Sequence, residues 1–176
     1  MADWKKVLQT ICPHGNAAII SGMADSMPAV ITKADLTTTR RQAHFLAQCA
    51  EESAGFTAWR EIASGRVYEN RHDLGNVRPG DGPRYKGAGD IEMTGRYNFR
   101  VVGKELGIDL ENHPDLALTF PTWALIGAIY WRDHHINNHA DADDYKACTK
   151  AVNGGYNGLS MRYAYLLKCK RALGVS

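Results

Sequence analysis

Two adjacent glutamates, Glu51 and Glu52, close the apolar stretch AQCAEESAGF (residues 47–56), and a third, Glu61, follows nine positions after Glu52. Glycosidic bonds are cleaved by a pair of carboxyl groups facing each other across a groove. One gives a proton to the departing oxygen while the other activates water or attacks the sugar. On a helical wheel at about 100° per residue, Leu46, Ala50, Ala43, Cys49 and Ser53 gather on one face. Glu51 falls beside His44 and Gln48, away from that face, and is expected to be solvated. Glu52 falls within roughly 20° of Phe45, at the apolar margin, where partial desolvation favours a protonated carboxyl. Gly55 breaks the run, so a reversing segment through Phe56 and Trp59 can carry Glu61 back opposite Glu52. Taken alone, most glutamate pairs at this spacing are unrelated surface charges.

A second polar group lies in GAGDIEMTGRYNF (87–99). If this run is helical from residue 91, Thr94 and Asn98 are four apart and share a face, with Glu92 and Tyr97 on others. A hydroxyl beside an amide can hold a water or a sugar hydroxyl; a solvated helix start is the plainer reading.

The elements that must position these groups read mostly as helix. Apolar spacing predicts helices over 3–11, 16–32 (punctuated by Pro28), about 39–53 with threonine caps at 37–39, 91–106, 120–133, 142–151 and 160–173. No long period-two alternation supports a large sheet. The exception is residues 64–90, 27 residues with six Gly and two Pro. Connections of that length are uncommon unless functional or disordered. Aromatic and charged residues among the glycines favour an ordered, site-forming segment, with short β pairs around RVYE and PRYK.

The 176 residues suit one domain, 1–176, without a separate wall-binding unit. A formal charge of +2 is too mild to argue for nucleic acid. No stretch approaches the ~18 apolar residues of a membrane span, and the N-terminus lacks a signal-peptide core. Cytoplasmic synthesis is the expectation. Cys12, Cys49, Cys148 and Cys169 form no CxxC pair, so free thiols are expected. His135 and His139 in RDHHINNHADADD are four apart, but they offer too few convergent ligands for zinc, and the aspartates do not make an EF-hand. No metal and no cofactor are expected.

Four ordered blocks together resemble the glycoside hydrolase family 19 domain, in the form found in phage and prophage endolysins. They are AHFLAQCAEESAGF, REIASGRVYENR, PGDGPRYKGAGDIEMTGRYNF, and AVNGGYNG followed by Arg162, together covering about residues 40–165. The resemblance implies a mainly α, lysozyme-like helical domain with a long cleft and at most a small β-hairpin region around 66–86. It implies an inverting mechanism with Glu52 as general acid, Glu61 as general base and Thr94 positioning the water. Tyr85, Glu92, Tyr97, Asn98 and Asn153 would bind substrate, with Arg162 as a basic residue supporting the site. The family's usual His, Gln and Arg are replaced here by Glu51, Glu92 and Ala88, which bears on substrate preference more than on reaction type.

The implied activity is an endolysin cutting β-1,4 bonds of peptidoglycan glycan strands. It would act as a monomer, without membrane insertion, and reach the wall through a separate membrane pore. A chitinase on GlcNAc polymers and a non-catalytic polysaccharide-binding module are the alternatives.

Overall fold

The computed structural model describes residues 2–175. Helix α1 (Trp4–Ile11) begins at Asp3, whose carboxylate accepts Lys6 N. Asn16 caps α2 (Ala17–Lys33) by accepting Ala18 N and Ile19 N. Pro28 lies inside α2 rather than interrupting it. The missing N–H is tolerated because Met23, Met27 and Val30 bury one side of the helix.

Thr38 caps α3 (Thr39–Glu52). The later elements are the helical turn α4 (Asp81–Arg84), α5 (Arg96–Leu106), α6 (Thr122–Asp133), α7 (Asn137–Asp141), α8 (Tyr145–Asn153) and α9 (Leu159–Leu173). The fold is mainly α, as its helical spacing predicts.

Helix α3 runs through the middle of the larger core, which draws on α1, α2, α6, α8 and α9. Every residue from Ala43 to Ala50 is buried, including the polar ones. Here the structure corrects the amphipathic reading: the face of α3 carrying His44 and Gln48 is covered, chiefly by α9, and Glu51 is half-buried rather than fully solvated. Partners for most of these polar groups arrive with the covering elements, while His44 Nδ1 has none among the described residues. His44 Nε2 lies 2.7 Å from Asp143, Gln48 lies between Thr149 and Arg162, and Glu51 packs on Gly158. A smaller cluster of Tyr85, Ala88, Met93, Phe99, Leu110, Ala117 and Ile126 sits beside the main core.

Residues 64–90 are ordered, but not by the expected β pairs. RVY forms a 3-10 turn (Arg66–Tyr68) and DGPR forms α4. The pairing present consists of isolated bridges, Arg60 to Ala88 and Ala88 to Met93. Side chains supply the hydrogen-bond partners that strands would have provided. Glu69 accepts Gly80 N and Gly82 N, Asp81 accepts Val77 N and Arg78 N, and Asn76 donates to Tyr68 O. Asp81 also pairs with Arg96, which reaches Glu111, and the Arg96 guanidinium lies 4.8 Å over the Tyr85 ring.

Candidate active site

Glu52 ends α3. The chain then turns through three successive left-handed residues: Ala54 (φ 50°), Gly55 (φ 74°) and Phe56 (φ 59°). The turn is locked by Gly55 N to Ala50 O, Phe56 N to Ser53 Oγ, and Asn16 N to Phe56 O. Trp123 Nε1 donates to Trp59 O and ties the reversing segment to α6. The Arg60–Ala88 bridge then sets Glu61 against Gly87, its N–H donating to Gly87 O at 3.1 Å. Glu52 thus comes from the larger core, whereas Glu61 and Glu92 come from the segment packed on the smaller one.

Each of these carboxyls has distinct surroundings. Glu52 Oε1 accepts from Arg162 Nη2. Glu61 accepts from Tyr68 OH at 3.2 Å and from Gly87 N at 3.0 Å. Burial, with Glu61 and Glu92 nearby, raises the Tyr68 phenol, so it stays a donor. Glu92 faces Glu61 across Gly87: a Cβ on that glycine would lie 3.1 Å from the Cβ atoms of both. Burial, reinforced by the charges of Glu52 and Glu61, pushes Glu92 up to about 7. Glu92 therefore senses both of the other acids, and the three carboxyls converge on one region.

Thr94 and Asn98 also line this region, but not as two positions on one helical face. Helix α5 starts only at Arg96, after Gly95 at φ 95°. Thr94 precedes it, its hydroxyl donating to Glu92 O at 2.9 Å, and Asn98 Nδ2 donates to Thr94 O at 2.7 Å. With its proton committed to Glu92 O, the Thr94 hydroxyl keeps lone pairs to accept from a water. A cavity of about 410 Å³ opens beside these residues, lined by Glu92, Thr94, Asn98 and aliphatic side chains such as Ile126, Ile129 and Val152.

The remaining expected residues separate. Asn153 ends α8 next to Val152, and its Oδ1 is buried with no partner among the described residues. Tyr97 is 57% exposed on α5, with its Cβ against Gly75, and does not line the cavity. Tyr85 is not a substrate residue: its ring is fully buried against Phe99 and its hydroxyl donates to Glu111 O at 2.7 Å. Arg162 is only 3% exposed, and its guanidinium is taken up by Glu52, Gln48 Oε1 (2.5 Å) and Asn157 O (3.1 Å). It holds the acid rather than the sugar. Gln48, one turn before Glu52 on the same helix, was findable from that spacing; Tyr68 and Gly87 N were not, because only the fold brings them to Glu61.

Asp90 lies two residues before Glu92 and is fully buried. Its Oδ1 accepts Gly127 N at 2.9 Å, its Oδ2 is 3.3 Å from Cys49 Sγ, and its N–H donates to Trp123 O. It therefore joins the Glu92 segment to α6 and to α3, one turn before Glu52. Gly127 makes room, since a Cβ there would sit 2.2 Å from Oδ1. Burial raises this carboxyl from 3.8 to about 8. In the unfolded chain it ionises near 3.8, whereas in the folded protein it keeps its proton to about 8. The stability it contributes is therefore complete below about pH 4 and is lost as pH rises through 8. Urea unfolding at a series of pH values should show the parent weakening across that window, while Asp90→Asn, which has no proton to lose, weakens less. Parallel curves would show that Asp90 ionises normally.

A mainly α fold that gathers its acids in one region suits a glycoside hydrolase, and family membership shows that class. The family model for class I chitinases of glycoside hydrolase family 19 matches residues 13–152, and the chain belongs to that family. A family 19 domain-containing protein of Haemophilus influenzae is 29% identical, over 94% of this chain and 92% of its own length. Chitinase 11 of rice, Oryza sativa subsp. japonica, is 32% identical over 65% of this chain; the match covers only 43% of that protein. Chitinase C from Streptomyces griseus HUT6037 has a similar fold, with a TM-score of 0.79 at 20% identity, covering 98% of this chain and 92% of that one.

Proposed function

We propose that this hydrolase is an endolysin that cleaves β-1,4 glycosidic bonds of peptidoglycan with inversion. The observation that carries the reading is the convergence of Glu52, Glu61 and Glu92, with Arg162 on one acid and Tyr68 and Gly87 N on another. Glu52 in its protonated form gives its proton to the departing oxygen, and Arg162, already in contact with Oε1, stabilises the carboxylate left behind. Glu61, aimed by Tyr68 and Gly87 N, takes a proton from water on the opposite sugar face, and Thr94 accepts a hydrogen bond from that water. The aliphatic cavity beside Glu92 favours murein over bare chitin, because it can receive the lactyl and alanyl methyl groups that chitin lacks.

Among the described residues no helix is long and apolar enough to cross a membrane. In this proposal the protein works as a monomer on glycan strands and reaches them through a separate membrane pore. Mass spectrometry of purified murein digests tests the substrate: muramic acid at new reducing ends is expected. Glucosamine ends with preferential clearing of chitin would favour the second reading, a chitinase, which the 32% identity to the rice enzyme supports. Proton NMR of the first-formed product should show the α anomer; a β anomer would exclude inversion.

A further inference from the structure

Of the three convergent carboxyls, Glu92 alone has no hydrogen-bond or ion-pair partner on its side chain among the described residues. Glu52 has Arg162, and Glu61 has Tyr68 and Gly87 N. Glu92 is nevertheless held firmly. Its backbone occupies the left-handed region (φ 44°), its N–H donates to Gly89 O, and its carbonyl accepts the Thr94 hydroxyl. That conformation is costly for a residue with a side chain and persists only where its surroundings impose it. Its half-buried carboxyl stands at the wall of the cavity, beside Thr94 and Asn98, where a bound ligand can reach it.

We propose that Glu92 contacts the bound sugar as a neutral carboxylic acid, its O–H donating to a sugar oxygen, and that its ionisation closes the site to substrate. This deepens, and rests on, the hydrolase reading above. The groups facing Glu92 are Glu52 from α3, Glu61 from the reversing segment and Tyr68 from the 3-10 turn. On the α6 side of the cavity stand Asp133, bonded to Arg132, and His134, stacked on Tyr130. Among the described residues no lysine or arginine is paired with Glu92, and carboxyl groups are its ionisable neighbours within the site. A negative charge on Glu92, half-buried on an aliphatic wall and facing the Glu61 carboxylate across Gly87, is unfavourable, and burial pushes the carboxyl up to about 7.

A neutral carboxyl offers one donor and one acceptor, which matches the mixed groups of an amino sugar. A carboxylate can only accept, and it would repel the Glu61 carboxylate across Gly87. Substrate affinity should therefore fall as Glu92 loses its proton, by about tenfold per pH unit above its midpoint.

Glu92→Gln separates this role from a structural one, because the amide has nearly the same shape and no proton to lose. Steady-state kinetics from pH 5.5 to 8.5 should show the parental KM climbing on the alkaline side while kcat changes less. The ratio of variant to parental kcat/KM is expected to rise by about thirtyfold across that range. NMR of 13C-glutamate-labelled protein reads the group directly: the resonance missing from Glu92→Gln should titrate near 7 in the free parent. A midpoint below about 5, the ordinary range for a glutamate, overturns the inference. So does a variant sharing the parental alkaline limb while the parent cleaves its polymer; in that case the hydrolase reading stands. A parent that cleaves neither murein nor chitin overturns both.

Discussion

Glu52→Gln is expected to lower kcat on murein by about a thousandfold, the scale of a lost general acid. The amide has the size of the carboxyl but cannot deliver a proton to the departing oxygen. The surroundings explain why the variant should still fold. The Gln Oε1 can accept from Arg162 Nη2 as Glu52 Oε1 does, while Gln48 Oε1 and Asn157 O continue to bond the same guanidinium. Its charge is not stranded either. Burial raises Glu51, and Arg162 acts on it in the opposite direction, so a second carboxyl stands within electrostatic reach. A stability loss of about 1–2 kcal/mol is expected, as for a charged hydrogen bond made neutral. Turbidity clearing and circular dichroism on the same preparation test this together. A folded variant clearing cell walls at the parental rate would remove Glu52 from the chemistry.

The α3 acid was legible because a helix fixes its side chains by spacing: Glu52 sits beside Phe45, and that neighbour is buried. Its accompaniment was less legible. Spacing sorts α3 into an apolar and a polar face, but burial on a central helix depends on what packs from outside. Here α9 brings Arg162 and α8 brings Thr149, so His44 and Gln48 are covered. Arg162 follows the same rule: 114 positions from Gln48, it becomes a support for Glu52 only once α9 docks. The composition of the glycine-rich segment points to order, but not to its local form. RVYE and PRYK have β-forming residues, but Glu69, Asn76 and Asp81 satisfy the backbone across the segment, and Tyr85 turns into the smaller core instead of the cleft. Glu92 stood out in the sequence as a substitution, but its isolation from every counter-charge is visible only in three dimensions.

Asp81→Ala should cause the largest loss of stability, about 3–5 kcal/mol, because it leaves a buried guanidinium without its main partner. Asp81 and Arg96 are both buried, and their two-point contact joins the 64–90 segment to α5. The same carboxylate caps Val77 N and Arg78 N, so the substitution strands two backbone donors as well. Glu111 cannot compensate fully, since Arg100 already holds it in two hydrogen bonds. A double variant, Asp81→Leu with Arg96→Met, distinguishes the two costs. Removing both charges relieves the unpaired guanidinium, so its stability should lie between those of parent and single variant, short of the parent because Val77 N and Arg78 N remain uncapped. Activity should fall in the single variant too. Gly87, which aims Glu61, follows Asp81 by six positions and inherits its placement from the same segment. Urea unfolding of all three proteins reads the order directly. If Asp81→Ala unfolds within about 1 kcal/mol of the parent, the pair is a passenger, and the rigidity of the cleft must come from Glu69 and Asn76 instead.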